Sequence, residues 1–304
     1  MSSVTAFAPA TVANVAVGFD ILGFAVEGPG DFVRVEFGEP GVRIHTNADI
    51  PTDPKSNTAT VGILRFLKDH NVEQGLDITI EKGIPLGSGM GGSAASAVAG
   101  IVALDGLMGT GLDRVRLLDY ALLGEAVASG AAHPDNAAPA LYGGLTFARA
   151  GAPPDVVNLP VPQGLLAVIV HPDVVIRTMD ARAVLPKHFA LHDFVEQSAN
   201  LADLLIGAYT NDANRFALAC QDVLIEPHRS TLIPGFAQAR DAAQLAGALA
   251  FSISGSGPSV FALATPEDAE RVLEAILLAF RRLDIVAHGF LSPIGAKGAH
   301  IVET

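Results

Sequence analysis

The order of apolar and polar residues predicts a chain that mixes strands and helices. Residues 31–37 and 76–81 alternate between apolar and polar, as half-buried strands do. Apolar residues recur at helical spacing over residues 58–70 and 112–128, and residues 93–108 form a run of small apolar side chains without proline. In the first half of the chain we therefore expect helices that pack on a sheet.

Local signals add three details to this first half. Residues 4–8 are typical of a strand, and Pro9 favours a turn directly after it. Residues 42–46 are expected to pair with the strand at residues 31–37. Asn57 is expected to open the helix that follows it, because its side chain can accept hydrogen bonds from free backbone N–H groups.

A stretch rich in proline, glycine and alanine at residues 150–162 predicts a boundary between domains 1–160 and 161–304. A nearly continuous apolar run at residues 165–171 then predicts a strand. Further helices are predicted over residues 192–209, 212–225, 234–249 and 266–282, and further strands over residues 250–254, 260–264 and 288–294. The second half is thus expected to form a helix-covered antiparallel sheet.

Composition and charge narrow the class of protein. The chain has 304 residues, of which 50% are hydrophobic, so it can bury a sizeable core. A net charge of -13 makes nucleic acids and anionic membranes unsuitable partners, because contacts to phosphate backbones need a basic surface. No apolar run reaches the roughly 18 residues of a membrane helix, and the chain starts without the pattern of a signal peptide. Because the chain has a single cysteine, Cys220, it cannot form an internal disulfide, which fits a reducing cytosol. Cys220 is expected to be a small core residue.

A glycine-rich stretch at residues 85–95 lies between the strand at residues 76–81 and the helix at residues 93–108. Such a loop favours phosphate binding, because glycines allow close approach and the helix start presents unpaired N–H groups. The spacing also fits the dinucleotide pattern G-x-G-x-x-G, and a glycine turn that merely caps the helix remains an alternative. A Walker P-loop is excluded, since no lysine follows the last glycine. Ser93 is expected to cap the helix with its hydroxyl.

Several polar residues in apolar surroundings are candidates for a site. Asn14 and Asp20 could be turn residues or could face a polar substrate. Glu125 falls within a predicted helix and is by default a solvent-facing carboxylate. His133 and Asn136 belong to a loop predicted over residues 130–144, which is typical of a binding loop on a scaffold.

Two other kinds of site are disfavoured by what the chain lacks. His133 and Asp135 with a distant serine could suggest a hydrolase triad, but no G-x-S-x-G elbow is present. The 9 histidines show neither the H-x-x-x-H nor the H-E-x-x-H pattern of a zinc site.

Three motifs stand in a fixed order along the chain, at residues 9–20, 85–95 and 254–259. A chain with these motifs in this order resembles the GHMP small-molecule kinases. Within that superfamily it is most similar to the homoserine kinase branch, and the resemblance extends over residues 9–298. The usual second motif of the superfamily reads Pro-x-x-x-Gly-Leu-Gly-Ser-Ser-Ala. Here Met90 replaces the leucine and Gly92 replaces the first serine, which removes one hydroxyl and leaves Ser93.

The resemblance implies a two-domain α+β fold, with an N-terminal domain like ribosomal protein S5 domain 2 and a ferredoxin-like C-terminal domain. The cleft between them would hold ATP, Mg²⁺ and L-homoserine. The implied reaction transfers the γ-phosphate of ATP to the hydroxyl of L-homoserine, a step toward threonine. The resemblance also implies a cytoplasmic homodimer, without nucleic acid or membrane partners.

The resemblance assigns roles to individual residues. Mg²⁺ would be held by Ser93 and Glu125, oxygen ligands of the kind it prefers. The implied ATP-binding residues are Asn57, Pro85, Leu86, Gly87, Ser88, Gly89, Met90, Gly91, Gly92, Ser93, Ala94 and Ala95. The implied homoserine-binding residues are Asn14, Asp20, His133, Asn136, Thr178, Arg182 and Arg229.

Charge and chemistry divide these roles further. Asp20 suits the substrate ammonium, and Arg182 and Arg229 suit its carboxylate. Asn136 stands where mevalonate kinase-like relatives present an aspartate base, and an amide cannot accept the substrate proton. Asn136, Glu125 and Ser93 are therefore expected to form the catalytic set by positioning and charge stabilisation.

Two other functions remain open from the sequence. A kinase of the same superfamily could act on another alcohol, such as mevalonate or a diphosphocytidyl polyol. A nucleotide-binding sensor or regulator could retain the fold without catalysis, although intact Ser93 and Glu125 and the acidic charge disfavour this.

Overall fold

The computed structural model describes residues 3–130 and 133–302 and contains two sheets with helices packed against them. The strands are β1 (Ser3–Ala13), β2 (Leu22–Gly38), β3 (Val42–Thr46), β4 (Gly75–Glu81), β5 (Leu145–Arg149), β6 (Asp155–Leu159), β7 (Leu166–Pro172), β8 (Ala250–Ile253), β9 (Val260–Ala264), β10 (Ala287–Pro293) and β11 (His300–Val302). The helices are α1 (Thr58–Asp69), α2 (Gly92–Met108), α3 (Arg114–Ser129), α4 (Pro134–Tyr142), α5 (Thr178–Ala183), α6 (Leu191–Thr210), α7 (Ala213–Leu218), α8 (Glu226–Arg229), α9 (Phe236–Leu245) and α10 (Ala269–Arg281).

The first sheet has seven strands, with β1, β2 and β4 in its middle. β3 was expected to pair with β2, and this is wrong: β4 lies between them, antiparallel to β2 and parallel to β3. The turn expected at Pro9 is also absent, since β1 continues through it with a shift of register between Pro9 and Thr11. A bulge of this kind bends a strand without ending it.

Helices α1 to α4 cover this sheet and share its core. In α2, 11 of the 17 residues are buried, and alanine and glycine let the helix pack closely on β1, β2, α1 and α3. Asn57 caps α1 as expected, because its Oδ1 accepts a hydrogen bond of 2.9 Å from the backbone N–H of Ala59. Cys220 is buried, also as expected, and burial raises the pKa of its thiol to about 12.

The second sheet is antiparallel, in the order β10-β7-β9-β8, and α9 and α10 pack on it around a separate core. The domain boundary predicted after residue 160 falls between β6, in the first sheet, and β7, in the second. β11 nevertheless returns to pair with β1. The last strand therefore ties the end of the chain to the first sheet.

Two further segments differ from the secondary structure that the sequence predicted. Residues 130–144 were expected to be a loop, but α4 begins there at Pro134, a residue well suited to the first turn of a helix. The helix predicted over residues 212–225 is only α7, and the chain then turns at Asp222, whose carboxylate accepts backbone N–H bonds from Leu224, Ile225 and Glu226. Pro134 thus favours a helix start in the first segment, and hydrogen bonds from the backbone to Asp222 favour a turn in the second.

Candidate active site

A cavity of about 490 Å³ opens where the glycine loop, α3, α4 and α5 meet the loop after β8. Its lining includes most of the residues that the sequence singled out. From the ATP-binding set these are Asn57, Pro85, Leu86, Gly87, Ser88, Gly89, Gly91, Gly92 and Ser93, and from the other sets they are Asn14, Asp20, Glu125, His133, Asn136, Thr178, Arg182 and Arg229. The fold thus gathers residues from both halves of the chain around one space.

The glycine loop has the backbone that a phosphate site needs. Gly87, Gly89 and Gly91 all have positive φ angles, of 65°, 77° and 70°. A Cβ on Gly89 would lie 2.5 Å from the carbonyl oxygen of Gly257, so only glycine fits there. The hydroxyl of Ser254 donates to the carbonyl of Gly89 at 2.9 Å, which joins the loop after β8 to the glycine loop.

Ser93 lies in the first turn of α2, but it does not cap the helix as expected. The N-cap is Gly91, which has no side chain to cap with. Instead the Ser93 hydroxyl donates a 2.7 Å hydrogen bond to Oε2 of Glu125, a carboxylate that is buried on α3 rather than facing solvent. The free N–H groups of the α2 start therefore remain for an anion.

The donor set of Ser93 and Glu125 fits a magnesium ion. A hydroxyl and a carboxylate oxygen are hard ligands, and Mg²⁺ commonly takes one or two protein ligands and completes its shell with phosphates and water. Within residues 3–130 and 133–302, no cluster of three or more His, Cys, Asp or Glu side chains could hold a metal alone. The geometry thus suits an ion that arrives with a nucleotide.

A group of charges around Asp20 also lines the cavity. Arg182 donates two hydrogen bonds to its carboxylate, of 3.2 and 2.7 Å, and Nδ1 of His133 lies 3.3 Å from it. Burial is the main cause that lowers the pKa of His133, which favours a neutral ring at pH 7. Nε of Arg182 is buried without a hydrogen-bond partner.

Arg229 lies beside this group and is almost fully buried. Its guanidinium donates to the carbonyls of Ala181 (3.1 Å) and Gly255 (2.9 Å). Both Arg182 and Arg229 lie over the ring of Phe19, at 5.4 and 5.0 Å from its centroid. Burial, and then the charge of Arg182, lowers the pKa of Arg229 to about 10. Two cations held this close favour an anionic ligand group between them.

Two amide side chains, those of Asn14 and Asn136, also line the cavity. Asn14 has a positive φ of 69°, donates to the carbonyl of Gly255 at 2.9 Å and accepts from the backbone N–H of Asp20 at 3.0 Å. Asn136 lies in the first turn of α4, and its Oδ1 accepts a 2.8 Å hydrogen bond from Thr11. With Oδ1 held by Thr11, the amide nitrogen of Asn136 is the donor left for a ligand.

Four residues of the implied ATP-binding set are engaged by the protein itself or do not line the cavity. Asn57 lines the cavity, but it caps α1, and its Nδ2 donates to the carbonyl of Pro51 at 2.6 Å, so its polar atoms shape the rim. Met90, Ala94 and Ala95 do not line the cavity and are buried in the core. Their side chains therefore support the loop from behind.

Asp135 and Lys82 are among the lining residues that the sequence did not single out for the site. Asp135 was weighed only as part of a hydrolase triad, although its position next to Asn136 was a usable signal. Lys82 lies three residues before the glycine-rich stretch at residues 85–95 and was not considered with it. Asp135 is 4% exposed, and burial, followed by the charges of Asp20 and Glu125, raises its pKa to about 7.

The raised pKa of Asp135 makes the stability of the ligand-free protein depend on pH. The folded state holds this proton up to about pH 7, whereas the unfolded chain releases it near 3.8, so the contribution to stability is complete below 3.8 and is lost as the pH rises through 7. In Asp135→Asn, the fall in the free energy of unfolding between pH 5 and pH 8 should shrink by roughly 1–3 kcal/mol.

Denaturant titrations of both proteins at both pH values measure this effect. Glu226, whose pKa burial also raises to about 7, is present in both proteins and should cancel in the comparison. An identical pH dependence in the variant would contradict the placement of Asp135.

Comparison with known proteins agrees with this geometry. Residues 57–144 match the GHMP kinases N terminal domain, and residues 203–281 match the GHMP kinases C terminal domain. The chain is 41% identical to homoserine kinase of Chlorobium phaeobacteroides, over 99% of this chain and 100% of that protein. It is 44% identical to homoserine kinase of Xylella fastidiosa, over 98% and 93% respectively.

Solved structures give the same result. The crystal structure of homoserine kinase from Cytophaga hutchinsonii superposes with a TM-score of 0.95 at 45% identity, covering 99% of this chain and 98% of that one. Mevalonate kinase of L. major, in complex with R-mevalonate, shares the fold with a TM-score of 0.71 at 16% identity.

The chain therefore belongs to the GHMP kinase family and has the two-domain fold of that family. Within it, the chain groups with the homoserine kinases, which it matches over nearly its full length. The described part of the chain contains no helix long and apolar enough to cross a membrane.

Proposed function

We propose that this protein transfers the γ-phosphate of ATP to the hydroxyl of L-homoserine, giving ADP and O-phospho-L-homoserine. The observation that supports the proposal is one cavity lined by two chemically different groups of residues. One group is the glycine loop with the Ser93–Glu125 pair, and the other is Asp20, Arg182 and Arg229. A nucleotide would suit the first group and a small zwitterion the second.

The ATP phosphates would lie along the glycine loop and the start of α2. Backbone N–H groups there are preorganised, so they stabilise the charge on the phosphates without rearrangement. Ser93 and Glu125 would hold Mg²⁺, which neutralises charge on the transferred phosphoryl group when bound. Phosphoryl transfer needs positioning and charge stabilisation above all, and the buried carboxylate of Glu125, hydrogen-bonded to the half-buried hydroxyl of Ser93, would supply oxygen ligands there.

Homoserine would bind by its two charged groups. Its carboxylate would lie near Arg229 and Arg182, whose planar guanidinium groups suit bidentate contact, and its ammonium near Asp20. Asp20 and Arg182 pair with each other in this structure, so binding must share or open that contact. Asn14, His133 and Thr178 also line the cavity and would complete the substrate contacts.

Asn136 would orient the substrate hydroxyl by donating a hydrogen bond from its amide nitrogen. Because Thr11 occupies Oδ1 and an amide is not a base, Asn136 would not remove the proton. The hydroxyl oxygen would form the new bond to phosphorus as the bond to ADP breaks, and the proton would pass to a phosphate oxygen or to water.

The family relationship also supports three assignments that concern the whole protein: Mg²⁺ as the metal, a homodimer in solution, and action in the cytoplasm. These are proposals on family grounds. Sedimentation of the purified protein would test the dimer directly.

A substrate panel tests the proposed reaction. ADP release should occur with Mg·ATP and L-homoserine, and phosphohomoserine should appear in equal amount, whereas D-homoserine, L-threonine, mevalonate and buffer should give background only. Turnover on mevalonate or another alcohol would keep the phosphate site and overturn the roles of Asp20, Arg182 and Arg229. ATP binding without turnover on any alcohol would favour a nucleotide sensor.

A further inference from the structure

A buried ion pair lies directly beneath the glycine loop and has no role in the reaction proposed above. Asp31, on β2, is fully buried, and the side chain of Lys82, just after β4, is 8% exposed. Nζ of Lys82 contacts Oδ2 of Asp31. Charged side chains are seldom this deeply buried, because removing a charge from water costs free energy unless it is paired and hydrogen-bonded.

The hydrogen bonds of this pair join the two ends of the glycine loop. At the entrance, Oδ1 of Asp31 accepts from the backbone N–H groups of Gly83 (3.1 Å) and Ile84 (3.2 Å). At the exit, Nζ of Lys82 donates to the carbonyl of Gly92 at 2.7 Å. The loop therefore starts and ends on the same ion pair.

Ser96, one turn into α2, completes the network. Its hydroxyl lies 2.9 Å from Nζ of Lys82 and donates to Oδ2 of Asp31 at 2.6 Å. An ammonium has three donors, and those of Lys82 are engaged by Asp31, Gly92 and Ser96. Lys82 thus lines the cavity, but its three N–H donors bond to protein groups and not to a ligand.

We propose that Asp31 and Lys82 are positioning residues for ATP, and that together they fix the glycine loop in its phosphate-binding conformation before the nucleotide arrives. This inference rests on the part of the proposed function that places ATP phosphates on the loop. It does not depend on which alcohol is phosphorylated.

Physical reasons favour positioning over simple stabilisation. A buried ion pair contributes little net stability compared with apolar residues of the same volume, but it specifies one geometry for the groups around it. The loop between its ends contains Gly87, Gly89 and Gly91 in the left-handed region, and glycine-rich chain loses much conformational freedom when it is ordered. A loop already held at both ends would avoid that cost when ATP binds.

The test measures ATP binding by calorimetry, with Mg²⁺ present and homoserine absent. Asp31→Asn and Lys82→Met should each weaken ATP binding by about 10- to 100-fold, because a buried partner is left unpaired and the loop loses an anchor. The Michaelis constant for L-homoserine should change by less than about threefold, since the residues proposed to bind homoserine are untouched. The double variant Asp31→Asn/Lys82→Met should lose less than the two single losses combined, because the two residues act as one pair.

Two further variants distinguish a specific effect on the glycine loop from a general loss of folding. Ser96→Ala removes one hydrogen bond to Asp31 without leaving a lone charge, and it should weaken ATP binding by about 3- to 10-fold. Asp77→Asn breaks an ion pair with Arg43 on the same sheet, where the bonds are 2.7 and 2.9 Å, but outside the cavity, and it should leave ATP binding unchanged.

Unchanged ATP affinity in folded Asp31→Asn or Ser96→Ala would overturn the proposal. So would a parallel loss of ATP affinity and homoserine affinity, which would indicate a general structural effect. Failure of the homoserine assignment would look different: the panel of alcohols would give another substrate, while the ATP affinities of these variants would still fall as described.

Discussion

Glu125→Gln should lose about 1,000-fold or more in kcat, because it removes the charge that would hold the metal beside the transferred phosphate in the proposed reaction. The side chain is 7% exposed and accepts the 2.7 Å hydrogen bond from Ser93, so an amide of the same size can occupy the site without opening a cavity. Fold and nucleotide affinity should therefore suffer less than turnover. Single-turnover ADP release over a series of Mg²⁺ concentrations measures the loss.

A matched control separates charge at the site from charge in general. Glu73→Gln makes the same chemical change at an exposed position and should leave kcat unchanged. Higher Mg²⁺ should restore part of the activity of Glu125→Gln, because the remaining oxygen ligands bind the ion more weakly. Normal turnover of Glu125→Gln at low Mg²⁺ would remove Glu125 from the metal site.

Arg229→Ala should raise the Michaelis constant for L-homoserine by about 30- to 1,000-fold, equivalent to about 2–4 kcal/mol for a lost contact between buried charges. The constant for ATP should change far less, since Arg229 contacts Ala181, Gly255 and Phe19, whereas ATP is proposed to bind at the glycine loop, Ser93 and Glu125. Steady-state kinetics with each substrate varied in turn separates the two constants. We therefore expect the main effect on one substrate.

Arg229 also makes hydrogen bonds within the protein, so a second variant is needed to separate this structural role from substrate binding. Its guanidinium donates to the carbonyls of Ala181 and Gly255, which Arg229→Ala would leave without that donor. Arg229→Lys keeps the charge but loses the planar fork, so it should give an intermediate constant for homoserine. Arg240→Ala, on the surface of α9, is the control. An unchanged homoserine constant in Arg229→Ala would exclude this residue from the substrate site.

Parts of the fold could be predicted because their signals are local. The spacing of apolar residues located α1 and α2 to within a residue at their starts, and alternation located β4. The pairing of β3 was predicted wrongly, because an alternating strand can pair equally well with several neighbours. Only the packing of the whole sheet placed β4 beside it.

The helix α4 shows why a local signal can mislead. Residues 130–144 were interpreted as a loop because a few polar residues stand among small ones. Pro139 also cannot donate the helical hydrogen bond to the carbonyl of Asp135. In the structure that carbonyl lies against Gly23, where an added Cβ would be only 1.9 Å away, and α4 packs on β1, β2 and β5. Tertiary packing thus compensates for the missing bond.

The sequence by itself determined the glycine loop, because a glycine pattern between a strand and a helix dictates backbone conformation and free N–H groups over a few adjacent residues. The family resemblance named the side chains around it. Only the tertiary structure brought Glu125 onto Ser93 and Arg182 onto Asp20, and showed Lys82 and Asp31 buried beneath the loop. Residues far apart in sequence meet only when the sheets and helices pack, and packing also decides which charges lose their water and must find partners.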